Sequence, residues 1–85
     1  MNIQLRFFAS IREALGTSHE TVALPPEVAT VGALRASLRD RGEAWATALA
    51  PGRSLRMACN QLMADEATPL TEGCEVAFFP PVTGG

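Results

Sequence analysis

Met1-Asn2-Ile3-Gln4-Leu5-Arg6-Phe7-Phe8 opens the chain with strict alternation, Ile3, Leu5 and Phe7 on one side and Asn2, Gln4, Arg6 and Phe8 on the other. A period of two is the mark of a strand with one buried face. Near the other end, Glu75 to Phe79 repeats the pattern, with Val76 and Phe78 facing one way and Ala77 and Phe79 the other. Working inward, Ile11 and Leu15 stand four residues apart in Ala9 to Leu15, which predicts one or two helical turns stopped by Gly16. Thr21 to Leu24 resumes alternation, with Val22 and Leu24 together, until Pro25-Pro26 ends the strand.

Thr30 is placed to cap the main helix, which carries Val31, Leu34 and Leu38 on one face. Arg39 and Arg41 lie near its C-terminal dipole, and Gly42 follows. Glu43 to Leu49 predicts a short turn laying Trp45 and Leu49 on the core, with Trp45 as core filler, before the loop at Pro51-Gly52. Leu55, Met57 and Cys59 alternate with Arg56, Ala58 and Asn60 as a third strand. Asn60-Gln61 then turns the chain into the short apolar pair Leu62-Met63. Turn chemistry at Thr68-Pro69-Leu70 and Glu72-Gly73 leads to the last strand. The order strand, strand, helix, strand, short strand, strand predicts an α+β fold, a mixed sheet with one main helix packed on one face. This is the element order of the β-grasp, or ubiquitin-like, roll. The expected division is a domain over residues 1–79 and an extended tail over 80–85.

A chain of 85 residues has room for one hydrophobic core. At 47% hydrophobic and 19% charged residues it is too apolar for disorder. Nine acidic and seven basic residues are spread along it, which argues against a nucleic-acid-binding patch. All the basic residues are Arg, so an activated C-terminal acyl group would meet no lysine amine on its own chain. No apolar run approaches the ~20 residues that span a bilayer, and Met1 to Phe8 lacks the form of a signal peptide. No membrane association and a cytoplasmic location are the expectations. Cys59 and Cys74 lack a metal-binding spacing and read as reduced structural thiols.

No conventional active site is legible. His19 has no neighbouring constellation and reads as a surface or strand-edge residue, the carboxylates are scattered, and the glycines form no nucleotide-binding pattern. The unusual segment is Pro80-Pro81-Val82-Thr83-Gly84-Gly85. A prolyl pair favours extended backbone, and six residues reach roughly 20 Å. Two glycines let backbone pass a narrow channel, at an ordering cost of roughly 1–2 kcal/mol per residue. Such a tail fits insertion of its carboxylate into a pocket of another protein; a frayed, inert terminus is the plain alternative. If Ile3, Leu5, Phe7, Val76 and Phe78 point inward, Phe8 and Phe79 emerge on the opposite side. There they either form a docking patch with Val82 or are covered by Ala9 to Leu15.

Several runs together resemble the small, sulfur-carrier subunit of molybdopterin synthase, the MoaD family. They are Leu5-Arg6-Phe7-Phe8-Ala9, Ile11-Arg12-Glu13 with Gly16, Asn60-Gln61, and the closing Glu75 to Gly85. The departures are Cys74, where the family usually has Asp, and Cys59, where Val commonly precedes Asn-Gln. The resemblance implies a carrier that is not itself an enzyme and binds no cofactor. An E1-like adenylyltransferase (MoeB-like) would use ATP to adenylate the Gly85 carboxylate, and a sulfur donor protein would convert it to a thiocarboxylate. Pro80, Pro81, Val82, Thr83 and Gly84 would enter the large subunit (MoaE-like), which inserts sulfur into cyclic pyranopterin monophosphate. The complex would be a heterotetramer. Carriers for thiamine synthesis or tRNA thiolation, and ubiquitin-like protein modifiers, share the Gly-Gly end and stand as alternatives.

Overall fold

The first strand forms where the alternation places it. In the structure, a computed structural model describing residues 1–81, β1 runs over Asn2–Phe7, with Ile3, Leu5 and Phe7 buried and the intervening residues exposed. The helix α1 (Ala9–Leu15) follows at once and is closed by Gly16 in the left-handed region (φ 73°), whose N–H donates to the Arg12 carbonyl at 2.9 Å. Glycine takes this conformation without the Cβ penalty that other residues meet. The strand β2 (His19–Ala23) begins earlier than the sequence predicted, because its ladder with β1 extends to the pair Arg6 and His19. Leu24 lies past the strand, yet its N–H still donates to the Met1 carbonyl at 2.7 Å.

The main helix, α2 (Val31–Arg39), has the predicted cap, the Thr30 hydroxyl accepting from the Ala33 N–H at 3.1 Å. It buries Val31, Leu34 and Leu38. The predicted short turn is the helix α3 (Glu43–Ala48). β3 (Arg56–Cys59), β4 (Leu62–Ala64) and β5 (Glu75–Phe79) complete one sheet of order β2-β1-β5-β3-β4, in which only the β1–β5 pairing is parallel. Asn60 and Gln61 turn β3 into β4 with both φ angles positive, 51° and 68°, the backbone of a tight two-residue hairpin. Ile11, Val31, Leu34, Leu38, Ala48 and Leu49 share one core with Ile3, Leu5, Phe7, Val76 and Phe78. All three helices therefore pack on one face of a mixed sheet, the α+β ubiquitin-like arrangement expected. Trp45 is half-buried against this core, edge-on to Phe7 at a ring separation of 5.6 Å.

Two arginines, Arg35 and Arg41, close the helical layer through contacts that lie far apart in sequence. Arg35, only 5% exposed, donates from Nε to the Leu49 carbonyl at 2.8 Å and from Nη2 to the Ala50 carbonyl. It thereby satisfies carbonyls at the end of α3 that the helix itself leaves open. Burial pushes its pKa down and Glu66, 3.9 Å away, works against that shift; a guanidinium stays charged throughout. Arg35→Ala is expected to lower unfolding free energy by about 3 kcal/mol, since buried carbonyls lose their donors, whereas Arg39→Ala changes it by less than about 0.5 kcal/mol. Urea denaturation of the two variants measures the contrast.

Arg41 lies over the Trp45 ring at 4.6 Å and holds the Glu20 carboxylate by two hydrogen bonds, at 2.8 and 2.6 Å. Glu20 is thus not merely a solvated acid, for it ties β2 to the helices. The Arg41 hydrogen bonds pull the Glu20 pKa below the ordinary carboxylate value despite opposing desolvation. A carboxyl depressed on folding contributes stability above its unfolded pKa and loses it as pH falls through the folded value. Glu20→Gln is accordingly expected to lower the Tm at neutral pH, with the difference from wild type closing as both are acidified below the carboxylate range.

Candidate functional site

β5 leaves the sheet at the same end as β1, because the two strands are parallel. Phe79 is its last residue, Pro80 is half-buried and Pro81 exposed. The strand thus carries the root of the tail on the central ladder, held by β1 on one side and β3 on the other. The expected tail residues Val82, Thr83, Gly84 and Gly85 lie outside the described residues.

Around that root, the face of the sheet turned away from the helices carries a continuous apolar strip. Phe8 is 42% exposed and meets half-buried Phe79 edge-on, with ring centroids 6.5 Å apart. Helix α1 therefore leaves Phe8 exposed, against the alternative that it covers both rings. The chain turns at Ala9, whose φ of 52° is costly for a residue with a Cβ, and the Phe8 N–H remains bonded to the Phe78 carbonyl at 3.2 Å. Phe8 is thereby fixed beside β5 while α1 folds back over the other face.

Register extends the strip further than sequence reading did. Ala77 pairs with Ala58, and Ala58 with Met63, so these three side chains share the face with Phe79. The two alanines are buried and Met63 is 63% exposed. Met63 was legible only as half of a hairpin; its place beside Ala58 follows from strand pairing, which alternation alone does not specify. Arg6, paired with Ala77, sits with its guanidinium 5.8 Å from the Phe8 ring centre and 3.7 Å from Glu75, while Arg56 pairs with Phe79. The result is an apolar patch rimmed by cations, a surface suited to another protein. Ala77 keeps the centre of the strip low between Phe79 and Met63. His19 is exposed on the edge strand β2, where its sequence placed it.

A family model described as the ThiS family matches residues 5–85. The chain belongs to the ThiS family. As a member of it, the chain is 47% identical over 83 residues to the molybdopterin synthase sulfur carrier subunit of Escherichia coli (strain K12), covering 98% of this chain and 99% of that one. The resemblance read from the sequence is thus shared by a relative aligned along nearly the whole length. Among solved structures, this ThiS-family chain is similar to SAMP1 from Haloferax volcanii, with a TM-score of 0.81, 26% identity and 100% of both chains covered. It is also similar to a chain in the complex of subunits 1 and 2 of molybdopterin-converting factor from Helicobacter pylori 26695, with a TM-score of 0.70, 27% identity and 100% of both chains covered. None of the described helices is long and apolar enough to cross a membrane.

Proposed function

We propose that this chain is the sulfur carrier subunit of a molybdopterin synthase, and that Gly85 is the residue that carries the sulfur. The observation that carries this reading is its 47% identity, across 98% of its length, to a carrier subunit of that name. A carboxylate is a poor electrophile, so an E1-like partner spends ATP to form the acyl adenylate of Gly85, releasing pyrophosphate. Hydrosulfide delivered by a donor protein then attacks the acyl carbon and displaces AMP, the new C–S bond replacing the C–O bond to AMP and the S–H proton passing to solvent, and the thiocarboxylate left on Gly85 is itself a nucleophilic source of sulfur. Pro80, Pro81, Val82, Thr83 and Gly84 are the lead that brings it into the large subunit, where cyclic pyranopterin monophosphate receives the sulfur. Catalysis belongs to the activating enzyme and to the large subunit; this chain contributes the covalent handle and its delivery. The work is cytoplasmic.

The patch of Phe8, Phe79 and Met63 is the docking face in this scheme. It lies at the root of the tail, so a partner seated on it has the tail directed into its interior. The chain of the same fold from Helicobacter pylori is part of a complex of subunits 1 and 2 of molybdopterin-converting factor, which supports a protein partner for this one. Similarity in fold to SAMP1, a name that stands for small archaeal modifier protein 1, favours a second reading, in which this chain is a protein modifier and Gly85 would be joined to lysines of targets. The higher identity to the carrier subunit favours sulfur transfer.

Reconstitution with the large subunit, an E1-like activator, ATP, sulfide and cyclic pyranopterin monophosphate tests the scheme. The full chain is expected to support molybdopterin formation. Deletion of Gly84-Gly85 abolishes it while leaving large-subunit binding measurable, and Phe79→Ala weakens that binding about tenfold or more with normal folding, a loss of about 1.4 kcal/mol. Product formation by the truncated chain would overturn the role of Gly85. Gly-Gly remnants on cellular lysines with no molybdopterin formed would favour the modifier.

A further inference from the structure

The outer edge of the sheet at β4 carries apolar side chains on both faces. Among the described residues β4 pairs only with β3 and so ends the sheet on that side. Met63 is 63% exposed on the face away from the helices. Leu62, which alternation turns to the opposite face, is 73% exposed and lies outside the core. The apolar strip accounts for Met63 but not for Leu62, and a partner lying on one face would leave the other bare. A chain that pairs with the edge itself reaches both.

The backbone of that edge is open to such pairing. Positive φ angles at Asn60 and Gln61 make a two-residue turn, in which the flanking residues, Cys59 and Leu62, are the hydrogen-bonded pair. Bonded and non-bonded pairs alternate along an antiparallel ladder. Ala58 and Met63, the next pair, therefore exchange no bonds, and the Met63 N–H and C=O point outward. The strand reads Leu62-Met63-Ala64, without the Pro or charged side chain that commonly blunts an edge. Just beyond it, the Asp65 N–H is already given to Thr68 Oγ1 at 3.0 Å.

We propose that β4 is a self-association edge, pairing antiparallel with β4 of a second copy about a two-fold axis at Met63. The chain's own residues select this register. With Met63 at the axis, its N–H and C=O in each copy bond those of the other, and one surface serves both partners. Leu62 then stands opposite Ala64 of the second copy, large against small. Gln61 comes level with Asp65 of the second copy, whose carboxylate accepts from its amide. An axis at Leu62 or Ala64 would use groups already bonded to β3. An axis at Asp65 would set two carboxylates opposite each other, which is unfavourable. Pairing joins the two apolar strips through the Met63 side chains. One reciprocal pair of hydrogen bonds and a few apolar contacts make a small interface, so the dimer dissociates at a concentration on the order of 100 µM.

Sedimentation equilibrium of the full-length protein between about 10 µM and about 1 mM is the test. The average mass is expected to rise from that of the monomer toward twice that value, and the Met63 amide to exchange more slowly with solvent as concentration rises. Met63→Pro removes the outward donor without touching the β3–β4 ladder, and weakens dimerisation about tenfold or more. Gln61→Lys strengthens it and Gln61→Glu weakens it, each several-fold at low salt, because both charges come level with Asp65 of the second copy. That contrast answers the question even if Met63→Pro folds poorly. Phe79→Ala, altered on the strip but away from the edge, dimerises as the wild type does. A wild type that stays monomeric at about 1 mM would overturn the proposal. So would a dimer indifferent to the charge at position 61, or one lost in Phe79→Ala, which would put the contact on the face of the sheet.

Discussion

Parallel pairing of β1 with β5 is the constraint on which the rest of the molecule depends. Leu5 stands beside Val76 and Phe7 beside Phe78, joining strands from opposite ends of the chain. Everything between them has to leave one end of the sheet and return to the other, since parallel neighbours cannot be linked by a tight turn. The three helices and the remaining strands are accommodated in that return. Because both strands end at the same edge, the pairing also sets where the tail departs and puts Phe8 next to Phe79 at its root.

The two faces of β5 divide the labour. Val76 and Phe78, both fully buried, join the helical core and anchor the strand. Ala77 and Phe79 face the other way, where the small side chain lets Ala58 and Met63 continue the apolar strip. A strand buried on one side and apolar on the other is expensive to leave uncovered, which is the physical argument for a partner on that side. Helix α1 does not provide the cover, for the exposed Phe8 stays on the far face while Ile11 enters the core.

Local pattern carried much of this. Alternation in Met1 to Phe8, the Thr30 cap, the glycine stop after Leu15 and the Asn60-Gln61 turn are decided within a few residues, and each appears where its chemistry requires. Boundaries moved where a neighbour decided them, as at His19, drawn into β2 by its pairing with Arg6. The features that escaped the sequence are all long-range. Arg35 looks like any helix arginine until α3 ends against it, Met63 looks like hairpin filler until register places it beside Ala58, and Glu20 looks solvated until Arg41 reaches it across the fold.

The carrier reading asks that the fold do little chemistry itself and present one carboxyl group correctly. Its central claim is that Gly85 exchanges oxygen for sulfur. Intact-mass spectrometry of the full chain after incubation with an E1-like activator, ATP and a sulfide source tests this most directly. Replacement of one oxygen by one sulfur, localised to Gly85 by fragmentation and lost when Gly85 is deleted, is the predicted result. A chain that keeps the mass of its free carboxylate, with activators that load known carriers in the same assay, would contradict the account.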